Sequence, residues 1–536
     1  MKKFIGILLA VVSIFTLAAC KDQEVINDTA VTAAFDNASI NQNSITIELT
    51  VDDPDDEITG TIYARLYDVD DHAISSRSFS KSTVSDHALD AVTITFAGLG
   101  LEQAYYISVV VTVERDTITV ETYEFQTIGT IHITTVEEFM NMDDYRGADY
   151  ILDNDLDFSD VDFATPFSNV YFSGTFDGQG YALSNIHIKT SKSTTDPNSN
   201  YYYIGVFGYL SSSAEISNVV LDYVTIGSEA EPQQLNNSAR VGFFAGYIAS
   251  SSVIVENVTV QNSHMYIQSS SDNYVIIGGL VGESKGEFTG GTITDSSINL
   301  TTTEVQTNGR FLVRMGGAVG YLQPDGELHE VNVDVDLTYE TLITEFVEDD
   351  GMKVAIGGAI GDNNAINSAD SVTDVIATGD LDVTININPV EEVYGNYALY
   401  LGGLIGYSST EITNGFFGGS LTVDHVSQAN DASINKKVYV GGLYGYYGIQ
   451  KVNEQLVWVA DGNAITVSVG ADVDVHADSL IGFEPKSPAH IYGVVGTESV
   501  VVNTITKEPT APVIADMTDY FTSDFANDAY EALILG

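Results

Sequence analysis

Apolar and polar residues alternate with a period of two along much of the chain. The segment 328–337 reads Leu-His-Glu-Val-Asn-Val-Asp-Val-Asp-Leu, and segments 216–226 and 253–260 follow the same pattern. This period places small β-branched residues on one face of a strand and polar residues on the other. Nothing between these segments has the pattern of a long amphipathic helix, so the alternation predicts an all-β protein.

A glycine motif recurs between these strands, in five copies of the form Gly-Gly-x-x-Gly and three weaker ones. The last glycines fall at 208, 246, 282, 320, 361, 406, 445 and 482, which is a period of 36 to 45 residues. A drifting period of this kind is typical of stacked repeats. A glycine pair inside an apolar strand is expected where a backbone bends sharply or another backbone approaches closely. We therefore expect a repeated structural corner at Gly278, Gly279, Gly282, Gly316, Gly317, Gly320, Gly357, Gly358, Gly361, Gly402, Gly403, Gly406, Gly441, Gly442 and Gly445.

Two architectures can use such a unit. In a parallel β-helix each repeat forms one coil, and in a β-propeller each repeat forms a blade. Kelch-type blades also contain a glycine doublet, but their repeats are longer and carry regular tyrosine and tryptophan positions. Trp458 is the only tryptophan in this chain. The short strands and Asn-rich turns therefore favour the β-helix, with the propeller as the alternative.

The Gly-Gly-Leu-Val-Gly units and the Asn/Ser-rich strands after them resemble the GLUG repeats of bacterial surface proteins. The segments 133–140, 150–159 and 172–186, the last reading Phe-Ser-Gly-Thr-Phe-Asp-Gly-Gln-Gly-Tyr-Ala-Leu-Ser-Asn-Ile, resemble the lead-in that such proteins place before their repeats. The resemblance covers about residues 130–485. It implies a right-handed parallel β-helix at a cell surface, and it says far less about activity, because a fold does not fix a function.

The N-terminus has the order of a secretory signal. A basic start, an apolar run from Phe4 to Leu17 and the sequence Leu17-Ala18-Ala19-Cys20 follow one another. The last four residues resemble the lipobox of bacterial lipoproteins, and this resemblance implies lipid attachment at Cys20, the only cysteine of the chain. Two or more acyl chains hold a protein stably to a bilayer. We therefore predict a protein anchored to the bacterial cell membrane on its extracytoplasmic side.

The same patterns divide the chain into segments. We predict a lipoprotein signal peptide at 1–19, a tether at 20–31, a β-sandwich at 32–129, a lead-in segment at 130–200, the repeat β-helix at 201–504, and a linker with an acidic tail at 505–536. Strands recur in the sandwich region at the spacing of Ig-like domains. Leu99 and Tyr105 resemble the fibronectin type III pattern around its tyrosine corner, although the usual Pro-Gly-Thr is replaced by Leu101-Glu102-Gln103.

Charge excludes some partners. The chain has 75 acidic residues and 20 lysines and arginines, for a net charge of −55. Such a surface repels nucleic acid and anionic polysaccharides. No cofactor or metal site is predicted. His329-Glu330 begins like the zinc motif of the IgA-protease-like metallopeptidases in which GLUG repeats also occur, but Val331-Asn332-Val333 follows and no second histidine is in place.

The residue after the last glycine of each repeat is aromatic in six of the eight copies. One coil apart, these side chains would form a stack that either packs a corner or binds sugars and partner proteins. We favour packing for this set, which comprises Tyr209, Tyr247, Tyr321, Tyr407, Tyr446 and Phe483.

The sequence leaves two functions open. We favour a non-catalytic, adhesin-like or structural surface protein that binds extracellular glycan or protein, with no catalytic residue predicted. The alternative is a carbohydrate-active β-helix enzyme, either a polysaccharide lyase or a glycoside hydrolase, which would require carboxylates and a basic residue together in one lateral cleft.

Overall fold

The computed structural model describes residues 30–40, 42–82, 87–163, 165–167, 170–188, 201–269, 274–303, 311–343, 351–367, 370–388, 395–426, 434–448, 455–461, 464–470, 472–483, 491–497 and 499–507. The chain divides into two compact units between Gly129 and Thr130. Within the described residues, no helix is both long enough and apolar enough to span a membrane.

The first unit is a β-sandwich of seven strands in the described residues. They are β1 (Thr32–Ile40), β2 (Ser44–Asp52), β3 (Ile62–Asp68), β4 (Ala73–Phe79), β5 (Leu89–Ala97), β6 (Ala104–Val113) and β7 (Asp116–Gln126). One antiparallel sheet has the order β1-β2-β5 and the other has the order β4-β3-β6-β7. Alternate residues of β2 are fully buried, which is the pattern expected of a strand with one face on a sandwich core.

Leu99 and Tyr105, whose spacing resembles a tyrosine corner, lie just before and at the start of β6. Leu99 and Tyr105 are both buried. The hydroxyl oxygen of Tyr105 accepts a hydrogen bond from the backbone amide of Gly100 at 2.8 Å. A tyrosine whose hydroxyl bonds to backbone just upstream is the hallmark of that corner. The bond ties the start of β6 to the connection that precedes it.

The second unit is a parallel β-helix, as the alternation and the glycine spacing predict. Its strands form three sheets, and they pair in parallel with the corresponding strands of neighbouring coils, except for one antiparallel pair at the C-terminal end of the described residues. Propeller blades are antiparallel, so this pairing excludes the alternative architecture.

Sheets 1 and 2 each contain eight described strands. Sheet 1 consists of Tyr201–Ile204, Ser238–Gly242, Val275–Gly278, Phe311–Gly316, Gly351–Gly357, Gly395–Gly402, Ile434–Gly441 and Val473–Asp478. Sheet 2 consists of Phe207–Leu210, Ala245–Ile248, Val281–Ser284, Val319–Leu322, Ile360–Asn363, Ile405–Ser408, Tyr444–Tyr447 and Ile481–Phe483.

Sheet 3 contains 22 described strands. The lead-in segment contributes Ile131–Ile133, Asp149–Leu152, Leu156–Asp157, Thr175–Asp177, Ala182–Ser184 and His187–Ile188. The remaining strands are Glu215–Asp222, Thr225–Ile226, Gln233–Leu235, Ile254–Gln261, His264–Ser269, Glu287–Thr302, Glu327–Ile343, Val372–Ala377, Leu381–Ile387, Thr413–Phe417, Leu421–His425, Gln455–Asp461, Ile465–Ser468, Ile491–Thr497, Val500–Val502 and Ile505–Lys507.

A short helix, α1 (Val136–Met140), lies in the lead-in segment and is followed by a 3-10 turn at Met142–Tyr145. Thr135 and Glu138 form a capping box that satisfies free amides at the start of α1. Phe139 is fully buried, and its ring packs edge-on against those of Phe158 and Phe207. The helix therefore contributes an apolar side chain to the N-terminal end of the β-helix core.

The core of the β-helix is one continuous cluster of inward-facing side chains that runs from Ile133 to Val500. Along the strand Glu327–Ile343, every second residue from Leu337 to Ile343 is buried, and the intervening side chains face outward. The period-two pattern thus separates a dry core from the outer surface.

Candidate functional site

The repeat glycines lie where sheet 1 turns into sheet 2. In one representative coil, Gly278 ends its sheet 1 strand, Gly279 and Leu280 form the bend, and Gly282 lies within the following sheet 2 strand. A Cβ on Gly278 would lie 2.2 Å from Val281 O. None of the three glycines has a positive φ. Glycine is needed at these positions because neighbouring backbone atoms leave no room for a Cβ, and not because the backbone is left-handed.

The other two glycines of that coil contact neighbouring coils. A Cβ on Gly279 would lie 2.0 Å from Gly317 O, and one on Gly282 would lie 2.5 Å from Val241 N. The third glycine therefore lets sheet 2 lie directly against the backbone of sheet 1. An added Cβ would also lie closer than 3.0 Å to a neighbouring heavy atom at each of the other repeat glycines, which are Gly316, Gly317, Gly320, Gly357, Gly358, Gly361, Gly402, Gly403, Gly406, Gly441, Gly442 and Gly445.

The residue after the third glycine points away from the core. Phe207 and Leu210 belong to the core cluster, whereas Tyr209 between them does not. Tyr209 and its counterparts Tyr247, Tyr321, Tyr407 and Tyr446 are half-buried. The backbone of Phe483 continues the register after Tyr446, and its side chain lies outside the described residues. Two carboxylates, Glu283 and Asp362, occupy the same column and interrupt the stack of rings.

A second column lies beside the first, on sheet 1, two residues before the first glycine of each repeat except the last, where Asp478 stands in place of that glycine. Its members, in register from coil to coil, are Tyr203, Arg240, Ile276, Arg314, Ala355, Tyr400, Tyr439 and His476. We call the two columns together the corner column.

Aromatic rings pack against each other at both ends of the corner column. The rings of Tyr209 and Tyr247 stack with centroids 5.5 Å apart, and those of Tyr407 and Tyr446 stack at 4.7 Å. Tyr400 meets Tyr407 edge-on across the two sheets at 5.5 Å. These distances are typical of favourable ring pairs, so the rings join consecutive coils and the two sheets.

Two ion pairs occupy the middle of the corner column. Arg240 Nε donates a hydrogen bond to Glu283, and Arg314 Nε donates to Asp362 Oδ2 at 2.7 Å. In both pairs, the arginine of one coil reaches the carboxylate of the next coil. Each guanidinium also lies over a tyrosine ring, and the distance from Arg314 Cζ to the centre of the Tyr321 ring is 4.3 Å.

Both carboxylates are secluded from solvent. The side chains of Glu283 and Asp362 are only 5% and 6% exposed. Burial raises the pKa of the Asp362 carboxyl, the Arg314 guanidinium offsets part of that effect, and the charge of Glu283 adds to it. Burial also raises the pKa of Tyr321, which lies between the two carboxylates. The carboxylates of Glu283 and Asp362 are therefore paired with arginines and shielded from solvent by the surrounding side chains.

The corner column joins neighbouring coils through packing, ring stacking and charge-assisted hydrogen bonds. A buried ion pair adds little net stability over an apolar pair of equal size, but breaking it leaves an uncompensated buried charge. The two pairs therefore favour one register between the coils they connect, because a shift would separate each arginine from its carboxylate.

The glycine repeat predicts the column on sheet 2 from the sequence, but the column on sheet 1 was not predicted. A signal was nonetheless present: Arg240 and Arg314 both stand two residues before a repeat glycine, and in both cases the next repeat carries an acid after its last glycine. Because the coupled residues are about one repeat apart, only a comparison of successive repeats would have found the pairing.

The remaining candidate groups have ordinary partners. His329 Nδ1 lies 2.9 Å from the Thr373 hydroxyl, and His329 Nε2 lies 3.5 Å from Glu327 Oε2. Within the described residues, no group of three histidine, cysteine or acidic side chains is arranged to hold a metal ion. Cys20 lies outside the described residues.

The fold and the corner column define the second unit as a parallel β-helix. Neither a protein-family model nor a curated protein sequence matches the chain. Among solved structures, an IgA1 protease is similar to 76% of this chain and 29% of its own length, with 11% identity and a TM-score of 0.27. The chain thus spans less than a third of that protein.

Two further solved structures show weak similarity. The family 28 exopolygalacturonase of Yersinia enterocolitica covers 86% of this chain and 99% of its own, with 11% identity and a TM-score of 0.15. A beta-glucuronidase of Parabacteroides merdae covers 45% of this chain and 36% of its own, with 8% identity and a TM-score of 0.13. Similarities this weak carry no information about activity.

Proposed function

We propose that this protein is a lipid-anchored bacterial surface protein of the GLUG-repeat type, non-catalytic, whose β-helix binds extracellular glycan or protein. The observation that carries the proposal is the outer face of sheet 3. Its strands lie in register, and the exposed positions of the strand Glu327–Ile343 hold polar or charged side chains such as Asp334, Asp336 and Thr338. A rigid surface that repeats from coil to coil suits many individually weak contacts.

Lipid anchoring is proposed from the lipobox resemblance, and its test is independent of the test for ligand binding. We expect Cys20→Ala to release the protein from the membrane fraction or to leave it unprocessed, because the acyl chains would have no attachment point. Detergent phase partitioning of whole-cell extracts measures this directly. Cys20→Ala protein that still partitions into the detergent phase would contradict the anchor and leave the binding role untouched.

One observation favours the enzymatic alternative. Glu283 and Asp362 lie in the same column with one coil between them, which places their Cα atoms roughly 10 Å apart at the usual strand spacing. Two carboxyl groups, one of them with a raised pKa as at Asp362, are the pair that an inverting glycosidase uses. Against this, each side chain is paired with an arginine and almost fully covered, so a substrate would have to displace the ion pairs.

A glycan panel decides between the two functions. We expect the purified protein to release no reducing ends or unsaturated products from any polysaccharide of a broad panel. Turnover that is abolished by Glu283→Gln or by Asp362→Asn, but retained in Asp382→Asn on the exposed face of sheet 3, would establish the enzyme instead. The melting temperature of each variant controls for loss of structure.

A further inference from the structure

The outer face of sheet 3 contains a groove that lies away from the corner column. Its volume is about 390 Å³, and its lining comes from four consecutive coils, three of which form the floor. The polar and aromatic side chains in its lining are Glu229, Tyr266, Asn299, Thr301, Thr338 and Glu340. This volume falls in the lower part of the range for small-ligand sites.

A structured loop forms one wall of the groove. The strands Thr225–Ile226 and Gln233–Leu235 both pair with His264–Ser269, and residues 227–232 between them project from the sheet. A turn closes the loop, because the amide of Ser228 donates to Glu231 O and the amide of Glu231 donates to Ser228 Oγ, both at 3.0 Å. The wall that carries Glu229 is therefore shaped by its own hydrogen bonds.

The coil register arranges the floor of the groove. Tyr266, Asn299 and Thr338 stand opposite one another on successive strands, and Thr301 and Glu340 form the adjacent column. Side chains in such columns are about 4.8 Å apart. The floor thus offers one aromatic ring, hydroxyl groups, an amide and a carboxylate within the reach of a single small ligand.

We propose that this groove binds a neutral saccharide unit, an inference that rests on the proposed binding function and names its site and ligand class. The Tyr266 ring stacks on the apolar face of the sugar, and Glu229 and Glu340 accept hydrogen bonds from its hydroxyl groups. Hydrogen bonds to charged acceptors are the stronger kind. The same two carboxylates repel uronates and sulfated sugars, as does the net charge of −55.

The experiment uses the full mature chain and isothermal titration calorimetry with neutral oligosaccharides. Mannan, xylan, galactan and glucan fragments are compared with polygalacturonate fragments and with a lysine-rich peptide. We expect a neutral oligosaccharide to bind, and Tyr266→Ala and Glu340→Gln each to weaken that binding about tenfold.

The chain offers a matched control for the carboxylate. Asp424 stands in the same outward column as Glu340, two coils further on, and it is exposed and not among the groove's lining residues. Asp424→Asn removes an equivalent charge and should leave the affinity unchanged. Equal melting temperatures show that the variants are folded.

Three outcomes would overturn the groove assignment. They are saccharide binding that survives both groove substitutions, a preference for polygalacturonate or the lysine-rich peptide, and no saccharide binding at all. Attachment of cells that display the anchored protein is measured in parallel and tests the surface-binding function by itself. Attachment of cells by the unmodified protein, combined with no saccharide binding by that same protein in titration, would reject the groove and keep the proposed function.

Discussion

Replacement of Gly402 by alanine should open one corner of the β-helix. The added Cβ would lie 1.9 Å from Ile405 O in the same bend and 2.6 Å from Gly445 N in the next coil. Ordinary contacts of a Cβ begin at 3.4 Å. The obstructing atoms belong to the backbone, so the bend itself must move by about 1.5 Å.

The cost of that movement follows from the hydrogen bonds at the bend. The amides of Leu404 and Ile405 both donate to Leu443 O of the next coil, at 3.0 and 2.9 Å. Each buried backbone group left without a partner costs about 1–3 kcal/mol. Alanine recovers about 0.4–1 kcal/mol by restricting the unfolded chain. We therefore expect Gly402→Ala to destabilise this corner by about 3 kcal/mol.

Hydrogen exchange is the appropriate assay, because a solenoid can open locally without unfolding as a whole. A loss of about 3 kcal/mol should accelerate exchange at the amides of Leu404 and Ile405 by roughly a hundredfold. Gly147→Ala is the matched control, because Gly147 is exposed and its nearest neighbour would be Ser173 Oγ at 3.5 Å. That variant should be neutral or slightly stabilised.

Equal exchange rates at the Leu404 and Ile405 amides in the two variants would contradict this prediction. It would mean that the corner can move without losing its hydrogen bonds, and that close approach is not the reason for glycine there.

Two further predictions concern the sandwich. Tyr105→Phe removes the acceptor of the Gly100 amide and should lower the free energy of unfolding by about 1–2 kcal/mol in urea titrations, whereas Tyr123→Phe on the adjacent strand should have a smaller effect. Partial burial alone would raise the pKa of the Asp53 carboxyl, but hydrogen bonds from Lys81 and two backbone amides outweigh it and hold that pKa below 3.8. This stabilisation is present above pH 3.8 and is lost as the pH falls through the lowered pKa. The melting temperature of Asp53→Asn should therefore lie furthest below that of the unmodified protein near pH 6, and the difference should shrink below pH 3.8. A difference that stays constant with pH would contradict this prediction.

The sequence alone determined the fold class of this protein. Period-two alternation is a local property, because neighbouring side chains of a strand point to opposite faces whatever the rest of the chain does. The glycine spacing measures the length of one coil, and the spacing of Leu99 and Tyr105 resembles that of a tyrosine corner, where the hydrogen bond of Tyr105 reaches only a few residues upstream. Each of these signals lies within one repeat or one strand connection, so it can be read without knowledge of tertiary contacts.

Only the tertiary structure decided what the outward-facing side chains do. The second column, which lies on another sheet, determines whether Tyr209 and its counterparts pack against other side chains or are exposed. Arg240 contacts Glu283, 43 residues further along the chain, only because the coils stack in this register. The groove beside the loop at 227–232 likewise depends on four coils aligned side by side. Alternation states that a side chain faces outward, but the stacking of coils determines its neighbours, and those neighbours decide whether it serves the scaffold or a ligand.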